Sequence, residues 1–193
     1  MNATERLVET YYRQKGFFTA TDIKVENGNN RQFDLLAFDS NNKKYYHIEI
    51  SVTHSLGWVR KLSNISDEIK FKFFGVPKNK RPGNLKTDFA KGKKYLDQIN
   101  NAYRKFGINP DDVIRVWCTW TLCESDLADL LTWKESTAKE YGLQPNHFEV
   151  LLFRDEVLKT LLENIGTSNY DDELLRTLSL VNQHRVQTNA NSM

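Results

Sequence analysis

The sequence predicts an α/β domain, a mixed central sheet with helices on both faces in the order αβββ-αβ-αβ-α. Three observations carry that expectation. Residues 31–53 read as two strands joined by a polar turn at Asp39-Ser40-Asn41-Asn42-Lys43-Lys44. Residues 113–121 are a near-continuous apolar and aromatic run, the pattern of a strand covered on both faces. Around these strands lie segments whose apolar residues recur at helical spacing.

Along the chain, residues 3–15 put Leu7, Val8, Tyr11 and Tyr12 on one helical face, and Gly16 ends the helix. A strand is expected at 21–26, with Ile23 and Val25 on one side. Asn27-Gly28-Asn29-Asn30 then turns into the hairpin. Trp58, Val59, Leu62 and Ile65 again fit a helix, whereas 69–74 suits helix and strand alike. A helix over 88–106 buries Phe89, Tyr95, Leu96, Ile99, Ala102 and Tyr103 before Asn109-Pro110-Asp111-Asp112 breaks the chain. The strand at 113–121 is followed by a helix at 125–141, a strand at 148–153, and helices at 155–165 and 171–183. Residues 1–184 are expected to form a single domain, and the polar stretch 185–193 a flexible tail.

Composition agrees with a folded domain. The chain has 193 residues, 39% of them hydrophobic and 27% charged, and this length suffices to bury about two-thirds of the unfolded surface. No apolar run approaches the roughly 18 residues of a membrane span. The first residues lack the apolar core of a signal peptide, so a cytoplasmic protein is expected. Cys118 and Cys123 have no second cysteine pair and no nearby histidine, too few ligands for zinc, and are read as buried free thiols. Gly-rich phosphate loops, nucleophile elbows and dinucleotide fingerprints are all missing, which removes support for nucleotide hydrolysis and acyl transfer.

The chemistry concentrates in the hairpin. Asp34 sits among apolar neighbours on the first strand. On the second, Tyr46, Ile48, Ile50 and Val52 face one way and His47, Glu49, Ser51 and Thr53 the other. A carboxylate in an apolar strand is costly unless it is paired or binds a metal. Two of them on adjacent strands repel unless a cation lies between them. His47 and His54 are read as hydrogen-bonding neighbours of this patch, and Trp117 and Trp120 as core. Between Lys78 and Lys94 the chain carries seven basic residues (Lys78, Lys80, Arg81, Lys86, Lys91, Lys93 and Lys94) against Asp88 alone. A basic loop that opens into a helix suits phosphate contacts.

With Asp34, the Glu49-Ile50-Ser51 triplet and the leading Thr4-Glu5-Arg6 helix in place, the layout resembles the core of the PD-(D/E)XK nuclease superfamily. Within it the chain is similar to the Holliday-junction-resolvase and Mrr-like branches. The resemblance implies a restriction-endonuclease-like fold and metal-dependent cleavage of DNA, duplex or branched, with a homodimer also compatible. It gives Glu5 the role of the helix glutamate, with Glu9 as rival, and makes Asp34 and Glu49 the motif acids. Asp34, Glu49 and the main-chain oxygen of Ile50 are then expected to hold Mg²⁺ or Mn²⁺. Lys78, Lys80, Arg81, Lys91, Lys93 and Lys94 are expected to contact nucleic acid. Ser51 occupies the position of the family's catalytic lysine. Either Lys70 or Lys72 supplies that charge from downstream, or the domain binds nucleic acid or a protein without cutting.

Overall fold

The computed structural model describes residues 1–26, 31–52, 59–76, 85–166 and 170–190, with the side chains of 85–93 and 189–190 left aside. The five-stranded mixed sheet has the spatial order β1-β2-β3-β4-β5. Its strands are β1 (Phe18–Lys24), β2 (Gln32–Asp39), β3 (Lys44–Ser51), β4 (Val113–Thr119) and β5 (Phe148–Leu152). β1, β2 and β3 are antiparallel neighbours, whereas β4 lies parallel to β3 and β5 parallel to β4. The switch follows from connection length: the polar turn after Asp39 returns the chain directly, while each parallel step needs a helical crossover.

The helices are α1 (Ala3–Gln14), α2 (Leu62–Phe74), α3 (Leu85–Lys105), α4 (Glu124–Glu140), α5 (Lys159–Asn164) and α6 (Glu173–Ala190). On one face of the sheet Val8, Tyr11 and Tyr12 of α1 and Leu161 of α5 pack on Leu35, Ile48 and Val116. On the other face, α3 brings Ile99, Ala102 and Tyr103 against Phe33 and Leu36. Beside it, α2 brings Ile65, Ile69 and Phe73 against Trp117 and Phe148. The expected helices on both faces are therefore present. None of the described helices is long and apolar enough to cross a membrane.

Several expected boundaries move. β1 begins at Phe18 rather than near residue 21, because its register pairs Phe18 with Phe38 and carries the ladder to the hairpin's end. The ambiguous 69–74 stretch belongs to α2, whose buried Leu62, Ile65, Ile69 and Phe73 follow one helical stripe and whose end is the left-handed Gly75. The helix expected at 155–165 starts instead as a wide turn, Phe153–Leu158, before α5. α6 runs to Ala190, so the stretch expected to fray is largely helical; it contains no glycine or proline to stop it. Cys118 is buried as expected, but Cys123 is only partly so, lying at the N-terminal edge of α4.

Candidate active site

β3 delivers His47 and Glu49 to the face covered by α2 and α3, as the strand alternation requires. Glu49 is only 1% exposed. A buried carboxylate needs a donor at each oxygen, and both are supplied. His47 Nε2 lies 2.9 Å from Oε1, and the Lys72 ammonium, on the last turn of α2, donates to Oε2 at 2.5 Å. His47 is itself fully buried, its Nδ1 2.6 Å from the Tyr103 hydroxyl. Burial, reinforced by the nearby Arg115 guanidinium, pushes the imidazole pKa well below its ordinary value, so the ring is neutral. Burial likewise keeps the Tyr103 phenol protonated. The donors then order themselves: Tyr103 O–H donates to Nδ1, and Nε2–H donates to Glu49. Phe33, 4.1 Å from the imidazole between ring centroids, and Phe73, at 4.9 Å, wall this chain of hydrogen bonds off.

Asp34 arrives by a local break in the strand. The β1–β2 register pairs Thr21 with Leu35 and Ile23 with Phe33, passing over Asp22 and Asp34. Asp22 has a left-handed backbone, φ 54°, which aspartate tolerates better than most residues. Strict alternation would set Phe33 and Leu36 on opposite faces, yet both belong to the α3-side core. The pleat slips at Asp34. Its carboxylate then takes the Ile50 N–H at 2.8 Å, one step beyond Leu35–Ile48, the last main-chain pair of β2 and β3. Because a strand residue's N–H and C=O point to the same edge, the Ile50 oxygen also faces Asp34.

Asp34, at 8% exposure, has its pKa pushed up to about 6, first by burial and then by the neighbouring Glu49 charge. Glu49 is also raised by burial, although Lys72 and a hydrogen bond with Asp34 oppose the shift. Burial works against the Lys72 ammonium, but Glu49 and Asp34 outweigh it and hold its pKa above the ordinary lysine value. These groups line a cleft of about 440 Å³ that also includes Arg31, Gln32, Phe33 and Phe71.

Among the described residues no cluster of three or more His, Cys, Asp and Glu side chains could hold a metal ion. The donor set is narrower, Asp34, Glu49 and the Ile50 main-chain oxygen. It fits a hard divalent cation that keeps several waters. Burial pushes both carboxyls above their ordinary pKa, and Asp34 further through repulsion from Glu49, which a cation placed between them would relieve.

Of the residues the sequence pointed to, Asp34, Glu49, Ile50 and Lys72 come together. Lys70 does not: its ammonium pairs with Glu140 at 3.0 Å. Ser51 accepts a hydrogen bond from Arg60 Nη2 at 3.1 Å, while Nη1 of the same arginine donates to Glu68 at 2.8 Å. Glu5 is taken up by the start of α1, where its carboxylate accepts from the Asn2 main chain at 2.8 Å and the Asn2 amide at 2.6 Å. It caps the helix and is not among the residues that line the cleft. Its rival Glu9 accepts from Thr19 at 2.9 Å on the α1 side. Lys78, Lys80, Arg81 and His54 lie outside the described residues, as do the side chains of Lys91 and Lys93, whereas Lys94 is exposed on α3. Trp117 is buried and Trp120 packs against the α1-side core. Sequence reasoning passed over Arg31, and it read Tyr103 only as core. Comparison with protein-family models, with curated proteins and with solved structures finds no match.

Proposed function

We propose that this chain is a restriction-endonuclease-like nuclease that hydrolyses phosphodiester bonds in DNA, duplex or branched, in the cytoplasm with Mg²⁺ or Mn²⁺. One observation carries the reading: the Lys72 ammonium sits on Glu49, beside Asp34, in an open cleft. A lysine next to two metal-competent carboxylates is the charge arrangement such hydrolysis needs, and here the lysine comes from α2 while Ser51 stands on the strand.

Asp34, Glu49 and the Ile50 oxygen would hold the cation, which when bound polarises the phosphate and lowers the pKa of a bound water. Lys72 contributes fixed positive charge against the negative charge that develops on the phosphate. His47 and Tyr103 hold the Glu49 carboxylate in one orientation, as outer hydrogen bonds do for metal ligands generally. Phe33 and Phe71 form apolar walls that limit water around these charges.

A cleavage assay with Mg²⁺ or Mn²⁺ on duplex, single-stranded and branched DNA tests the reading directly. Lys72→Ala is expected to lose about two to three orders of magnitude in rate, and Lys70→Ala to cut like the wild type. Calorimetric titration with Mn²⁺ should reveal a site that Asp34→Ala removes. A wild type that never cuts, yet gains cutting as Ser51→Lys, would establish the alternative of a binding module. Full activity in Lys72→Ala would refute the role given to this lysine.

A further inference from the structure

Arg31 enters the cleft from the residue just before β2 and is half-buried. Its guanidinium carbon lies 4.1 Å from the centroid of Phe71 on α2 and 4.5 Å from that of Tyr95 on α3. Nη1 donates to the Phe71 main-chain oxygen at 2.7 Å. Two rings and a carbonyl therefore fix the plane of the group. Among the described residues no carboxylate forms an ion pair with it, although Asp34 and Glu49 line the same cleft. A structural arginine at a carboxylate pair ordinarily closes on it with a two-pronged contact. This one is held aside by its rings, with N–H groups left over in its own plane.

We propose that Arg31 is a phosphate clamp, a rigid guanidinium that grips a non-bridging phosphodiester oxygen in the cleft and sets the backbone over Asp34, Glu49 and Lys72. The chemistry suits the residue. A planar fork recognises phosphate oxygens with directed hydrogen bonds, and lysine, a point charge, does not reproduce them. The rigid setting lowers the ordering cost of binding, because the side chain is already held by Phe71 and Tyr95. The ligand class is a nucleic-acid backbone phosphate, so the inference deepens the nuclease reading and rests on it for the identity of the substrate.

The test is equilibrium binding of a fluorescent DNA duplex, without divalent metal, to wild type, Arg31→Lys and Arg31→Met over a range of salt, with thermal midpoints as a control for folding. Arg31→Met should weaken binding about tenfold to a hundredfold, the loss of one charge-assisted contact. It should also flatten the salt dependence by about one slope unit. Arg31→Lys should restore the salt slope while leaving most of the affinity loss. If Arg31→Met proves unstable, the Arg31→Lys comparison decides alone: affinity equal to the wild type overturns the clamp. A wild type that does not bind the duplex overturns it as well. Binding through Arg31 without cleavage under any metal would uphold the clamp and sink the nuclease reading, whereas cleavage with undiminished affinity in Arg31→Met would do the reverse.

Discussion

Asp34→Asn is expected to stabilise the protein at pH 8 and to do nothing for it at pH 4. Burial and Glu49 raise the Asp34 pKa from 3.8 to about 6. A carboxyl raised in the folded state holds its proton more tightly there than in the unfolded chain. The stability this confers is complete below the unfolded value of 3.8 and is lost as pH rises through about 6. A shift of about two units corresponds to roughly 3 kcal/mol, which coupling to Glu49 and Lys72 makes an upper figure. Asparagine cannot ionise, yet its oxygen can still accept from Ile50 and its amide can donate to Glu49. The variant should therefore keep about 2–3 kcal/mol that the wild type forfeits above pH 6. For a chain of this length that is about 5–10 °C in midpoint.

Differential scanning calorimetry in EDTA, on both proteins from pH 4 to pH 8, measures the gap. It should open between pH 4 and pH 7 and then level off. Adding Mn²⁺ at pH 8 should raise the wild-type midpoint and move that of Asp34→Asn much less, since a ligand of the ionised site stabilises only the protein that carries it. A gap of constant size across the pH range, or an Asp34→Asn protein no more stable than wild type at pH 8, would refute the view that Asp34 is held against its preference.

Further outcomes follow from neighbouring contacts. Tyr103→Phe removes the donor to His47 Nδ1 and leaves a buried acceptor unmet, at a cost of about 1–3 kcal/mol; urea unfolding measures it, and an unshifted midpoint would mean that the contact orders nothing. The triple variant neutralising Lys91, Lys93 and Lys94 should bind every DNA sequence more weakly and lose about one unit of salt slope per missing phosphate contact. An unchanged slope would return these lysines to the solvated surface.

How far the sequence reached depended on whether a residue's role is periodic or local. Glu49 and His47 were legible because alternation on β3 admits a single assignment of faces, and one slip would have buried every polar residue on the wrong side. Asp34 was legible as a costly carboxylate, but the pleat slip that aims it along the sheet lies opposite the left-handed Asp22, an edge residue with no periodic signature. The choice between Lys70 and Lys72 turned on the class of 69–74. In a strand the two would share a face; in a helix, at about 100° per residue, they point nearly opposite ways. α2 sends one to Glu140 and the other to Glu49. Tyr103 fitted a core stripe and is in the core, and nothing in its spacing marks the hydroxyl's engagement with His47. Arg31 is held by rings from α2 and α3, a placement that only tertiary packing supplies.

The charges of the cleft bind these pieces into one design. With every group in its ordinary state, Lys72 and Arg31 balance Asp34 and Glu49, so an incoming phosphate would be held by directed contacts to Arg31 and not by the net charge of the cleft. Two agents can change that balance. A proton on Asp34 leaves the cleft with a net positive charge, and its affinity, at a pKa of about 6, falls away near neutrality. A divalent cation between Asp34 and Glu49, as the proposed function requires, would do the same more strongly and at higher pH, because it would bind the ionised form. On that reading proton and cation would compete for one position, since each relieves the repulsion between the two carboxylates. A lysine on β3 in place of Ser51 would have entered from the strand itself. Lys72 instead reaches the pair from α2, whose Ile65, Ile69 and Phe73 anchor it to the sheet. The cationic half of the cleft is therefore set by helix packing and the anionic half by strand register, and the two meet at the 2.5 Å contact between Lys72 and Glu49.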